Sequence, residues 1–399
     1  MSAAALAVLL ARGIALNVSI FGFDAIFIAS WVVLVVSALM RTRLERIQLT
    51  SVSLALGAIF VGFVVASAVA GSALQGTITI ANYMSVLGLA MLLGRSNPKL
   101  LAQTLAMVLT FHLAFAYVEL LTGKTYVYST WKLLEATYVN GVPRVSSTIG
   151  DPNYFALALL VLSGLISHLR RVLGLGIKYK VVAWVGFGTV LLTFSRAGLV
   201  ALVLVFVFQG ARKNQAREVA VMSIAFASAL GLVMYALIPA ISNTATSIAS
   251  RFSSIFESDA SLSSRVKFQE FGLDTLLNSG LLGIGPGQFE TLSLQLYDSS
   301  RPLDLQTQVL NTYLEVLLAG GLVSLVGLLY LMGAAFKRQW ALSHFYGALL
   351  LGLGVAIFTL DTLQFVYLWL LIGSGLTIKK CGQSLNGTYI GSNRDLQQR

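Results

Sequence analysis

Apolar runs long enough to cross a bilayer recur along almost the whole of the 399-residue chain. A hydrocarbon core takes roughly 20 apolar residues per helix. Runs of about that size fall at residues 4–22, 25–40, 51–70, 78–94, 100–121, 153–168, 181–194, 197–210, 219–239, 309–335, 341–359 and 362–378. Inside lipid each backbone polar group has to be satisfied within its own segment, which commits such a chain to helices. The pattern predicts an all-α fold: a polytopic transmembrane helical bundle of about 12 spans, built as a single integral membrane domain. The runs 181–194 and 197–210 are short, and also read as one helical hairpin dipping through the bilayer. The first run reads as a retained anchor rather than a signal peptide. Arg12 sits inside it, no basic cluster precedes it, and another span follows at once.

Composition agrees with that commitment. Apolar residues make up 57% of the chain and charged residues 11%, against about a quarter charged in a soluble domain. The 36 glycines suit close helix packing in lipid. A single cysteine, Cys381, leaves no internal disulfide and no cysteine metal cluster.

The net charge of +11 would suit nucleic acid if it were clustered, but it alternates with the spans. One set of loops holds Arg41, Arg43, Arg46, Arg95, Lys99, Arg170, Arg171, Lys178, Lys180, Arg212, Lys213, Arg217, Lys337, Arg338, Lys379 and Lys380. Basic loops mark the cytoplasmic side. Both termini are therefore expected in the cytoplasm, the polar tail 379–399 included, and nucleic acid drops out as a partner. The other side carries the two long loops, 122–150 and 240–307. The second is the large outward, periplasmic-side loop and holds seven of the chain's 16 carboxylates. Within it Val266, Phe271, Leu273 and Leu277 approximate one helical face, as do Ile248, Phe252 and Ile255, which predicts amphipathic helices lying on the membrane surface. Residues 280–287, Gly-Leu-Leu-Gly-Ile-Gly-Pro-Gly, then break any helix. No Gly-Lys-Ser/Thr follows, so they predict a tight turn where backbone approaches a ligand or a neighbouring helix, not a nucleotide loop.

Ionisable groups that a bilayer should exclude point to function. On the outward side they gather near span ends: Glu119, Arg144, Asp151, Arg196, Arg265, Asp304, Glu315 and Asp361. Three arginines, Arg144, Arg196 and Arg265, have apolar or small neighbours. Each alone reads as a headgroup contact or a structural ion pair. Together on one face they suggest recognition of an anionic group, because guanidinium matches phosphate oxygens in a bidentate fork.

Four stretches resemble the O-antigen ligase and O-antigen polymerase superfamily. They are Arg144 to Ala156, the corner Ser195-Arg196-Ala197-Gly198, Ser264-Arg265 through Gly283-Ile284-Gly285-Pro286-Gly287-Gln288-Phe289, and Asn311-Thr312-Tyr313-Leu314-Glu315 followed by Gly320-Gly321-Leu322. The resemblance implies a metal-independent, inverting glycosyltransferase without cofactors in the bacterial inner (plasma) membrane. Its substrates would be an undecaprenyl-diphosphate-linked oligosaccharide and an acceptor glycan in the lipid bilayer, with a chain-length regulator as a further partner. Arg196 and Arg265 would hold the diphosphate. Arg144 and Asn153 would shape the pocket, and Asp151, Asp304, Asn311 and Tyr313 would complete the substrate-binding set.

Ligases of this superfamily place a histidine directly before the motif asparagine, where this chain has Leu310. His168 and His344 fall at cytoplasmic ends, and His112 lies inside a span as a packed, hydrogen-bonded side chain. A carboxylate is the alternative general base. Glu315 leads, one turn from Asn311, followed by Asp304, Asp151 and Glu290; a hydrogen bond to a neighbouring helix is the competing role for Glu315. The expected function is a polymerase of lipid-linked repeat units, with the ligase second. A lipid-linked glycan or small-molecule transporter is third, disfavoured by span centres nearly free of ionisable groups and by the lack of an internal repeat.

Overall fold

The computed structural model describes residues 51–71, 98–127, 132–135, 138–139, 142–210, 260–293, 309–360 and 366–377, with 19–20, 23–24 and scattered positions between 32 and 91. The expected spans at 4–22, 25–40 and 219–239 lie almost entirely outside the described residues, as do Ile248, Phe252, Ile255, Asp304, Asp361 and the tail 379–399.

The described chain is mainly helical. The helices are α1 (Ser51–Val69), α2 (Pro98–Thr122), α3 (Pro152–Leu173), α4 (Ile177–Leu192), α5 (Arg196–Gly210), α6 (Ala260–Asn278), α7 (Gln288–Ser293), α8 (Thr312–Leu342), α9 (His344–Ala356) and α10 (Val366–Thr377). Pro98–Thr122, Pro152–Leu173 and Thr312–Trp340 are long and apolar enough to cross a membrane. Shorter apolar helices cover Leu54–Val69, Arg196–Phe208, His344–Ala356 and Val366–Leu376. Three small antiparallel hairpins add β1 (Ser19–Ile20) with β2 (Phe23–Asp24), β3 (Lys124–Val127) with β4 (Lys132–Glu135), and β5 (Tyr138–Val139) with β6 (Val142–Pro143). The last two pairs occupy the loop 122–150, where no strand was expected, because a loop leaving the bilayer satisfies its backbone by local pairing.

Small residues set how closely the helices approach. α1 lies antiparallel on α8, with Ser324 Oγ donating to the Ile59 carbonyl at 3.2 Å. A Cβ on Gly62 would stand 2.5 Å from the Gly320 carbonyl, and one on Gly327 2.8 Å from the Ala55 carbonyl. Such contact of backbones is how helices gain dispersion energy where lipid supplies no hydrophobic drive. Gly352 on α9 meets the Ala201 carbonyl of α5 in the same way, 2.8 Å from where its Cβ would be.

Arg170, Arg171, Lys178 and Lys180 flank the turn between α3 and α4, and the Arg171 guanidinium lies 5.3 Å over the Phe345 ring at the start of α9. Arg144, Asn153 and Arg196 stand at the opposite ends of α3 and α4.

Two cores result. The larger, with Phe63, Leu109, Phe155, Leu159, Phe187 and Trp369, joins α1 to α5 with α8 to α10. A smaller one gathers Phe268 and Leu276 of α6 with Phe289, Val309, Leu314 and Leu318. On α6, Val266, Leu273 and Leu277 of the expected apolar face are exposed, while Phe268, Gly272 and Leu276 pack on α8, with Phe271 half-buried beside them. α6 has an apolar stripe on each side, so periodicity alone could not say which one a partner helix would take.

Candidate functional site

The corner around Arg144 is assembled from four segments. Val145 N–H donates to the Leu192 carbonyl at 3.2 Å, so the chain leaving β6 runs against the end of α4. Arg144 Nε donates to the Thr193 carbonyl at 3.0 Å, and its Nη2 to Asn153 Oδ1 at 3.4 Å. One guanidinium thus ties the end of α4 to the first turn of α3. That turn is set locally by Asp151, which caps the helix by accepting from Asn153 N–H at 2.6 Å and Tyr154 N–H at 3.1 Å, with Pro152 at the first helical position. Asp151 therefore has a structural role independent of any substrate.

Arg196 opens α5. The turn before it passes through Phe194 at a φ of 51°, and Ser195 Oγ accepts from Gly198 N–H at 3.2 Å, which makes Ser195 the helix cap. Gly198 has to be glycine, since a Cβ there would stand 2.6 Å from the Ala156 Cβ. The Ser195–Gly198 corner and the Arg144–Ala156 stretch, separate in sequence, are in direct contact. Arg196 itself is half-buried at that junction.

Beneath the corner, α2 supplies two polar side chains on one face. Glu119 is 1% exposed and accepts at both oxygens: from Ser146 N–H at 2.7 Å, Ser147 N–H at 2.8 Å, Ser146 Oγ at 2.9 Å and the Thr125 hydroxyl. Seven residues earlier, buried His112 pairs through Nδ1 with Ser147 Oγ at 3.1 Å and through Nε2 with the Tyr367 hydroxyl at 2.9 Å. His112 is the packed, hydrogen-bonded histidine expected of it.

The start of α8 lies at the same end of the bundle. Asn311 caps it, its Oδ1 accepting from Tyr313 N–H at 3.1 Å and Leu314 N–H at 3.2 Å. Thr312 binds the end of α9 through the Ile357 carbonyl, at 3.0 Å, and the Leu360 carbonyl, at 2.6 Å. Tyr313 donates to the Gly354 carbonyl at 2.8 Å and lies 4.5 Å from the Phe358 ring. Leu310, before the cap, has a φ of 49°. Glu315 is half-buried in the first turn, where a helix favours negative charge.

Position 265 lies on α6 two turns before Gly272, which meets Leu314, Val309 and Leu318; the Arg265 side chain and Asp304 are outside the described residues. The glycine stretch after α6 approaches a neighbouring helix. α8 breaks at Gly320 and Gly321, and the loop fills the break: Leu322 N–H donates to the Leu281 carbonyl at 3.2 Å, and Ile284 N–H to the Leu318 carbonyl at 2.6 Å. A Cβ on Gly321 would stand 2.6 Å from the Leu281 and Leu282 carbonyl oxygens, and one on Gly283 2.7 Å from Gly321 N. Glu290, on α7, is exposed. Among the described residues no three His, Cys, Asp or Glu side chains could hold a metal ion.

Residues 181–329 match the family model described as O-antigen ligase. That segment is similar to the O-antigen ligase and polymerase superfamily. Members of this family are membrane glycosyltransferase-type enzymes acting on lipid-linked glycans. No curated protein matches the chain. The matched segment runs from α4 into α8 and contains Arg196, position 265, the glycine loop and Asn311 to Glu315. Arg144, Asp151, Asn153 and Glu119 precede it.

The roles of Glu119, Ser146, Thr193 and Ala156 were not foreseen. For Glu119 a signal existed: with His112 it forms an i, i+7 pair of polar side chains on one face of the apolar run 100–121. For Thr193 and Ala156 there was none, because a backbone carbonyl and a methyl group acquire their roles only through what packs on them.

Proposed function

We propose that this chain is a polymerase of lipid-linked polysaccharide repeat units, working on the outer face of the membrane. The acceptor sugar hydroxyl attacks the anomeric carbon of the donor glycan. The carbon–oxygen bond to undecaprenyl diphosphate breaks with inversion, and its electron pair leaves on the diphosphate. Arg196 and Arg265 hold that diphosphate and stabilise the charge that grows on it. Arg144 and Asn153 shape the sugar pocket beside Arg196, with Asp151, Asp304, Asn311 and Tyr313 around the substrate. Glu315 accepts the proton of the acceptor hydroxyl. No metal takes part in this scheme.

The observation that carries the polymerase reading over the ligase reading is Leu310. An aliphatic side chain directly before the capping Asn311 cannot act as a base, so lipid A-core acceptor chemistry that relies on a histidine there is lost. The description of the matched family as O-antigen ligase favours the second reading, transfer of the glycan to lipid A-core.

Reconstitution with an undecaprenyl-diphosphate-linked oligosaccharide as sole substrate tests the choice. Longer lipid-linked chains are expected. A strict requirement for lipid A-core would establish the ligase, and no new glycosidic bond with either acceptor would leave transport. Arg196→Ala and Arg265→Ala should each abolish product at wild-type membrane abundance. Lysine at either position should also fail, because it loses the bidentate fork.

A further inference from the structure

We propose that Glu119 is a positioning residue for glycan transfer, acting through the segment that carries Arg144. The inference rests on Arg144 belonging to the site described above. One carboxylate oxygen accepts from two successive backbone N–H groups, those of Ser146 and Ser147, and so fixes the plane of that backbone. The other oxygen accepts from the Ser146 and Thr125 hydroxyls. Such bonds strengthen where water is excluded, and Glu119 is buried.

What is held there resists relaxation. Ser147 has a φ of 53°, a left-handed conformation that a serine adopts only when its surroundings over-determine it. His112 supplies a second anchor one residue on, through Ser147 Oγ and, at 3.4 Å, Thr148 Oγ1. Two residues before Ser146 stands Arg144, and four residues after Ser147 stands the capping Asp151. The α2 face therefore determines where the guanidinium sits relative to Thr193, Asn153 and the first residue of α5. Glu119 touches no reacting atom in this scheme and acts through the segment that carries Arg144.

The test is a double-mutant cycle on glycan ladders made by membranes of cells that depend on this chain. Glu119→Met keeps the length of the side chain and removes its acceptors. It should lower product about tenfold in the wild-type background and less than about twofold on Arg144→Ala, as expected when one residue acts through the other. Glu119→Gln should retain most product, because its carbonyl can serve the two backbone donors while its amide donates to the two hydroxyls. Wild-type yield from Glu119→Met, or an equal loss on both backgrounds, overturns the proposal. If Glu119→Met does not reach the membrane, the Thr125→Val and Ser146→Ala double variant, which strips the hydroxyl donors, is read in the same cycle. Wild-type yield from Arg144→Ala and Arg196→Ala would instead overturn the site itself.

Discussion

At the Arg144 corner the backbone is held by polar side chains, whereas at the break in α8 it is held by their absence. In the first region Glu119, Asp151 and Arg144 each occupy backbone donors or carbonyls that the chain cannot satisfy by itself. In the second, Gly283, Gly320 and Gly321 let the loop 281–284 enter the helix ladder and bond the groups that the break sets free. Both devices solve the same problem, irregular backbone among apolar helices, where an unpaired polar group is costly. The difference predicts different failures. A polar clamp degrades by degrees as bonds are lost, while a glycine contact fails as soon as one carbon is added.

The largest effect is therefore expected at Gly321. Its φ of 68° and ψ of −170° belong to a region open essentially to glycine alone, and the carbonyls 2.6 Å from a new Cβ cannot retreat without unmaking the loop. Gly321→Ala should cost roughly 3 kcal/mol or more, read as lost thermal stability in detergent or lost membrane abundance. Next comes Gly198→Ala, which drives the two motif segments apart at Ala156 and should cost about 1–3 kcal/mol while lowering product. A stable, fully active Gly198→Ala protein would show that this contact does not set the site.

Smaller effects separate capping from chemistry. Asp151→Ala and Asn311→Ala should each cost about 1 kcal/mol, whereas the cap-preserving Asp151→Asn and Asn311→Asp should be nearly neutral for stability. Loss of product in a cap-preserving variant of unchanged stability would assign that side chain to substrate. At the bottom of the scale, Gly333 lies in the same helix as Gly321 with nothing within 4 Å of its added Cβ. Gly333→Ala should be neutral or stabilising by up to about 1 kcal/mol, the reverse of Gly321→Ala, and thermal melts of the pair test the contrast directly.

Much of the helical framework was legible because lipid leaves a chain few choices. The runs 51–70, 100–121 and 153–168 became α1, α2 and α3, with ends displaced by a few residues where Asp151 and Pro152 begin a helix and Gly174 ends one. The run 309–335 was legible as a span, but its break was not. Glycine is frequent in membrane helices, and only the arrival of residues 281–284 makes Gly320-Gly321 a discontinuity. The glycine loop itself was read as a site of close approach; that it approaches α8 depends on a contact about 40 positions away in sequence. At the corner, Arg144 and Arg196 stood out as charges in apolar surroundings. Glu119 stood out less, because one carboxylate near a span end has no visible partner until Ser146 and Ser147 fold onto it.

The sequence by itself determined that the chain is helical and membrane-bound, which ends of its helices carry the basic clusters, and which arginines are anomalous. Those properties follow from the transfer of single residues between water and lipid, a local quantity. The tertiary structure decided which side of α6 is packed, which glycines are contacts rather than hinges, and that Asp151 and Asn311 are committed to helix caps. Each of these depends on pairs of atoms from distant segments, and pair energies are absent from any residue taken alone.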